Sequence, residues 1–158
     1  MDTGTEPGAT SKGSRMFSEK EIQYLKSQRL ARIATASVSS EKDKNGFIIQ
    51  PDIAPVGFDF DGEYLYVGGM NIIKSTKYKN VLKNNKLAIV IDDLKSEDPR
   101  DAQAIKIYGT ADIVTRQGGD MDQRAEYIRI KSEMKWSWGI DEPAFVEGRF
   151  NVKRAKSS

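Results

Sequence analysis

The chain has 158 residues, one domain's worth, enough to bury about two thirds of its unfolded surface around a single core. Its 25 basic and 23 acidic residues leave a net charge of +2, too little to argue for a nucleic-acid or membrane partner from charge alone. Cysteine and histidine are absent, which excludes disulfides, thiolate and Ser-His-Asp nucleophiles and the usual zinc ligands, and leaves Asp, Glu, Lys and Tyr, or a bound cofactor, to carry any chemistry.

Residues 1–15 are rich in Gly, Thr and Ser, with no large apolar residue between Met1 and Met16. They are expected to be a disordered tail or an appended leader, with Met16 as a natural start. Ser18 with Glu21 three places on is a capping box, and Ile22 and Leu25 follow on one face, predicting a helix over 18–28. Ala31–Val38 reads as a strand, Ser39–Gly46 as a polar loop with an Asn45-Gly46 turn, and Phe47–Phe58 as a second strand. Pro51 and Pro55 each remove a ladder donor there and mark an edge or a bulge. Asp61-Gly62 is a hairpin signal leading into Tyr64–Gly69.

A second helix over 73–83 places Ile73, Lys77, Tyr78, Val81 and Leu82 at helical spacing and ends at Asn84-Asn85. Leu87–Ile91 reads as a buried strand, Asp92–Ala102 as a loop, and Ile105–Val114 as a strand whose Gly109 suits a bulge or a close backbone approach. Tyr127–Lys131 alternates as a further strand, and Lys135–Ile140 continues the sheet or packs across it. Residues 151–158 are expected to fray. The predicted fold is mainly β: a small closed or nearly closed barrel over 16–150, with two or three short helices. No apolar run approaches the ~20 residues that span a bilayer and no signal peptide is visible, so a cytoplasmic protein is expected.

The stretch from Ile53 to Asn85 carries the most chemistry. Gly57, Gly68 and Gly69 offer backbone to a ligand's ring with no Cβ in the way, and Lys74, Ser75, Thr76 and Lys77 open a helix whose free N–H groups favour an anion. From Lys74 to Lys86 there are five lysines and no acid, whereas Asp92 to Asp101 holds five acids against Lys95 and Arg100. An anion site is therefore local, and a phosphorylated, ring-bearing cofactor fits both halves. Asn71 can address phosphate or cap the second helix. The acidic loop lacks the glycine and terminal glutamate of a calcium loop, so no metal site is expected. Trp136 and Trp138 flank Ser137 and face one side of a strand, as core or interface anchors or beside a ligand. Lys106 and Tyr108 share a face too, and a tyrosine can supply a proton, though nothing in the sequence singles Tyr108 out.

The runs P-V-G-F from Pro55, D-G-E-Y-L-Y-V-G-G from Asp61 and S-T-K-Y-K-N-V-L-K-N-N-K-L-A-I-V-I-D-D from Ser75 resemble the split-barrel flavoproteins related to pyridoxamine 5′-phosphate oxidase. The branch using the deazaflavin coenzyme F420 is the most similar. Arg29–Thr35, Ala104–Ala111 and Trp136–Gly139 extend the match over roughly residues 16–140. The resemblance implies a split β-barrel, with Ser75, Thr76 and Lys77 at the cofactor phosphate and Lys74 beside them. It further implies Pro55, Val56 and Gly57 against the ring, Gly69, Met70 and Asn71 in the intervening turn, and Trp138 near the dimer interface and pocket. No catalytic side chain is nominated. Thr76 stands where the true vitamin B6 oxidases tend to show arginine, which argues against that activity.

The reading is an oxidoreductase that binds coenzyme F420, or alternatively FMN, and moves a hydride between the ring and a small organic substrate, acting as a homodimer with the cofactor at the interface. A carrier of flavin, deazaflavin or tetrapyrrole on the same fold is the alternative. A barrel binding single-stranded nucleic acid through Lys74–Lys86 is the least favoured.

Overall fold

The computed structural model describes residues 16–118 and 123–157. The expected 1–15 tail lies outside the described residues. Helix α1 (Glu19–Ser27) opens on the predicted capping box: the Ser18 hydroxyl accepts the Glu21 N–H at 3.1 Å, and the Glu21 carboxylate accepts the Ser18 N–H at 2.8 Å. The chain continues through β1 (Leu30–Asp43), β2 (Gly46–Gly57), β3 (Asp59–Phe60), β4 (Tyr64–Val67), a 3-10 turn at Ile72–Lys74 and helix α2 (Thr76–Lys83). Strand β5 (Lys86–Leu94), a 3-10 turn at Pro99–Asp101, β6 (Ala102–Gly118) and β7 (Gln123–Trp138) follow. Two-residue strands β8 (Phe145–Val146) and β9 (Arg149–Phe150) make a separate hairpin, and β10 (Lys153–Lys156) returns to the main sheet.

The strands lie in the order β2-β1-β5-β6-β7-β4-β3, with every pair antiparallel and β10 along β7. The chain passes through Phe58 directly from β2, at one end of that order, to β3 at the other, so the sheet curls on itself into the expected split β-barrel. Strand alternation turns Ile33, Leu65, Val67, Ile89, Ile91, Ile105, Ile107, Ile128 and Ile130 inward, where all are fully buried. β-branched side chains dominate, as a pleated buried surface favours. Helix α1 covers the end where β5 finishes, with Tyr24 donating to Asp93 at 2.7 Å. Helix α2 covers the end where β5 starts, and its Asn80 donates to the buried Thr35 hydroxyl at 2.9 Å.

Several expectations shift. The polar stretch from Ser39 is not a loop: β1 runs on to Asp43 with a register shift between Val38 and Lys42, and only then turns into β2. The hairpin loop falls one place later than predicted, at Gly62-Glu63, because the Asp61 carboxylate accepts the N–H groups of Glu63 and Tyr64 (2.8 and 2.7 Å) and Gly62 takes φ +102°. Tyr127–Lys131 and Lys135–Trp138 belong to one strand. Lys153–Lys156 does not fray; it pairs with Met134–Ser137. The predicted bulge at Gly109 is present, with a register shift after Tyr108, and an added Cβ would sit 2.7 Å from the Lys131 carbonyl oxygen.

The acidic segment serves the fold. Asp92 pairs with Arg32, Asp93 receives Tyr24, and Asp98 caps the second 3-10 turn while holding Arg100 at 2.8 Å. Among the described residues no helix is long and apolar enough to cross a membrane.

Candidate functional site

The chain runs from Gly57 straight into β3, whose pairing with β4 sets Asp59 opposite Tyr66 and Phe60 opposite Leu65. The end of β2 therefore lies beside the end of β4, and α2 packs on β1 and β2. Gly57 is thereby set toward the end of β4 that leads into the loop Gly69–Lys77. Pro55 and Gly57 are exposed, while the Val56 side chain is in the core, so β2 offers a ligand the proline ring and backbone. As an edge strand it can carry Pro51 and Pro55, which lie on the same side, without losing a partner's ladder bond.

After Val67 the loop is shaped by its glycines and Asn71. An added Cβ at Gly68 would lie 2.4 Å from Cε2 of Tyr127, so the space the sequence reading reserved for a ligand ring is filled by the Tyr127 side chain. Gly69 is different: its φ of +151° favours glycine, and nothing lies within 4 Å of where a Cβ would stand. Met70 is 94% exposed, and Asn71 sits in the left-handed region at φ +59° with its side chain making no cap bond. Ile72, buried, pins the loop to the core.

Helix α2 starts at Thr76, three residues later than predicted, and Ser75 rather than Asn71 is its N-cap. The Ser75 hydroxyl donates to the Ile72 carbonyl at 2.6 Å and accepts the Tyr78 N–H at 3.3 Å, so its proton is used inside the fold. The Thr76 and Lys77 N–H groups, first in the helix, have no acceptor within it. Among the described residues no carboxylate pairs with Lys74, Lys77 or Lys79. Open N–H groups, the Thr76 hydroxyl and lysines without carboxylate partners thus fall within the six residues Lys74–Lys79 around one helix start, which suits a phosphate.

Beside this cradle stands a cluster that sequence reasoning missed. The Arg116 guanidinium lies 3.9 Å from the Tyr66 ring centroid and 5.0 Å from that of Tyr127, with the Asp59 carboxylate at 3.8 Å. Tyr66 donates to Asp61 at 2.9 Å. Burial alone would push the Asp61 carboxyl up, yet the backbone donors of Tyr64 and Glu63, the Tyr66 hydroxyl and Arg116 together hold it below the usual carboxylate range. The signal lay in the alternation of Tyr64, Tyr66 and Tyr127 on outward positions, visible only once β4 and β7 are known to be neighbours.

Trp138 does not join the cradle. It stacks edge-on to Phe150 at 5.4 Å, at the end of β7 ten residues past Ile128, the partner of Val67 where the cradle loop begins. Trp136 faces the same side, as expected, and meets Tyr108 at 4.7 Å.

No family model matches the sequence. The chain is 33% identical over 129 residues, 79% of its own length and 84% of the relative's, to the 5a,11a-dehydrotetracycline/5a,11a-dehydrooxytetracycline reductase of Streptomyces rimosus. Its fold is similar to that of a Listeria innocua protein provisionally assigned as a pyridoxamine 5′-phosphate oxidase (TM-score 0.54, 17% identity, 77% of this chain and 97% of that one). It is also similar to a FAD-binding protein from Mesorhizobium loti (TM-score 0.52, 16% identity, 77% and 93%). One-third identity over four fifths of the sequence, on a barrel these structures share, means that the chain belongs to the pyridoxamine 5′-phosphate oxidase-like split-barrel family of flavin and deazaflavin oxidoreductases.

Proposed function

We propose that this protein is a reductase that binds coenzyme F420, with FMN as the alternative, and delivers a hydride to a conjugated double bond of a small organic substrate. The observation that carries the reading is the run of lysines without carboxylate partners at the start of α2, a helix that packs against β1 and β2. Lys74, Lys77 and the Thr76 hydroxyl and N–H would hold the cofactor phosphate. Pro55 and the backbone of Val56 and Gly57 would lie along the ring, with Gly69 leaving open space over the turn. When bound, the reduced ring supplies the hydride, and the protein supplies orientation and exclusion of water. F420 is preferred because Lys74 and Lys79 put positive charge beyond what one phosphate needs, as the longer anionic tail of a deazaflavin requires. The Streptomyces rimosus relative, by its name, reduces a dehydro ring system, which supports a carbon–carbon double bond as the acceptor.

The active unit is proposed to be a homodimer with the cofactor at the interface. Leu30, Ile49 and Ile53 are each more than half exposed, and an apolar surface of this kind is normally covered. A second copy could also bring Trp138 to a cradle that its own chain keeps it from. Titration with F420 and FMN, read by absorption and fluorescence, tests the cofactor. Tight FMN binding with negligible F420 binding sinks the F420 reading and leaves a flavin enzyme. Binding of either without reduction of 5a,11a-dehydrotetracycline or simpler enones points to a carrier. A monomer by light scattering at micromolar concentration, with cofactor bound, removes the dimer.

A further inference from the structure

At the far end of α2 from the cradle, a cleft of about 700 Å³ opens on the outer face of the barrel, within the roughly 300–1,000 Å³ of small-molecule sites. Asn84, the C-cap of α2, lines it, so cleft and cradle are about one helix length apart, ~12 Å at ~1.5 Å per residue. The register explains its shape. Ala34 pairs with Ala88, Ala88 with Tyr108, Tyr108 with Met134 and Met134 with Lys156. The two alanines make a shallow floor between the exposed Ile53, which pairs with Ala34, and the Tyr108 ring.

The charges around this floor do not balance. Lys86 is paired with Glu133 at 3.1 Å, but Lys156, which lines the cleft, has no carboxylate partner among the described residues. Neither has Lys106, half-buried in the adjoining row, whose ammonium lies 4.3 Å from the Trp136 ring centroid and 5.4 Å from that of Tyr108. Two aromatic faces hold that cation against the cleft wall without neutralising it.

We propose that this cleft is the substrate site, and that it takes a planar polycyclic compound carrying an ionised acidic oxygen that Lys106 and Lys156 neutralise. The assignment rests on the reductase reading above. A compact polar substrate would leave the apolar floor uncovered, and a neutral polycycle would leave both ammonium groups unanswered. A second copy seated across the cleft on a two-fold axis would bring these lysines against their own copies.

The test uses anthraquinone-2-carboxylate and its neutral carboxamide as probes, followed by quenching of tryptophan fluorescence, since Trp136 adjoins the cleft. The carboxylate should bind about tenfold or more tightly than the carboxamide, the lower range for a bond to a charged group. Lys106→Gln should erase most of that preference. Ala88→Leu, with Ala34→Leu as the second variant should the first fail to fold, should weaken both probes about tenfold while leaving F420 and FMN titrations unchanged. Equal wild-type affinities for the two probes, or unchanged probe binding in both alanine variants, overturns the site. If the alanine variants instead yield monomers by light scattering with probe binding intact, the occupant is a second copy and the proposal falls. The expected probe pattern in a protein that binds neither cofactor would overturn the reductase reading and keep the polycyclic-anion site.

Discussion

Glu21 shows how one residue can belong to two structures at once. Its carboxylate closes the N-terminal capping box of α1 and also receives Lys135 at 2.5 Å on each oxygen and the Ser137 hydroxyl, all fully or nearly fully buried. A buried pair contributes little over an apolar replacement of both partners, but removing one partner strands the other charge. Glu21→Gln should therefore cost about 3–5 kcal/mol in denaturant unfolding, and Glu21→Gln combined with Lys135→Met should recover much of it. Gly68 is a different case, since its own backbone asks for no glycine and only the Tyr127 ring above it does. Gly68→Ala should cost about 1–3 kcal/mol, the range for overpacking. Trimming the ring in Tyr127→Val should absorb the added methyl, and the double mutant measured by the same unfolding curves checks this.

At the level of elements, what the sequence made legible was local. The capping box, the Gly109 bulge and the proline-marked edge of β2 each need only a few neighbouring residues, and all are found. The far part of the β1–β2 hairpin was not legible because it is held by a backbone ladder, Lys42 opposite Phe47 and Asp43 opposite Gly46, which carries no apolar alternation. Strand β7 was read in two pieces for a related reason. Its inward set passes from Ile128 and Ile130 to Ser132, changes phase, and resumes as Lys135 and Ser137, polar residues whose burial makes sense only against Glu21 on a distant helix. In the candidate site the helix-start residues could be read directly, whereas Arg116, Tyr66 and Tyr127 come together only through the β4–β7 and β6–β7 pairings. The element-level prediction concerns α2. Lys77→Ala should weaken cofactor binding by about 1.5–3 kcal/mol, the range for bonds to charged groups, while Lys83→Ala, in the last turn, should leave it unchanged. Equal losses in the two titrations would point to a diffuse basic surface instead.

For the molecule as a whole, pH acts through the α1–β5 contact. Burial first, and then the hydrogen bond to Asp93, raises the Tyr24 hydroxyl above its ordinary value. Because the folded form then keeps its proton to higher pH than the unfolded chain, this contribution is complete below about pH 10, the ordinary tyrosine range, and is lost as pH climbs beyond it. Melting temperature should thus fall on the alkaline side of 10, and Tyr24→Phe should flatten that limb while lowering stability at neutral pH.

The strand Lys153–Lys156 is the last of the described elements, and it lies along β7 where that strand carries Trp136 and the buried Lys135 and Ser137. A protein cut before Lys153 would keep its barrel core but bare the backbone donors and acceptors of Met134–Ser137, an open template for another chain's strand. Such a truncation should show concentration-dependent self-association in sedimentation, and a synthetic peptide of residues 151–158 added in trans should suppress it.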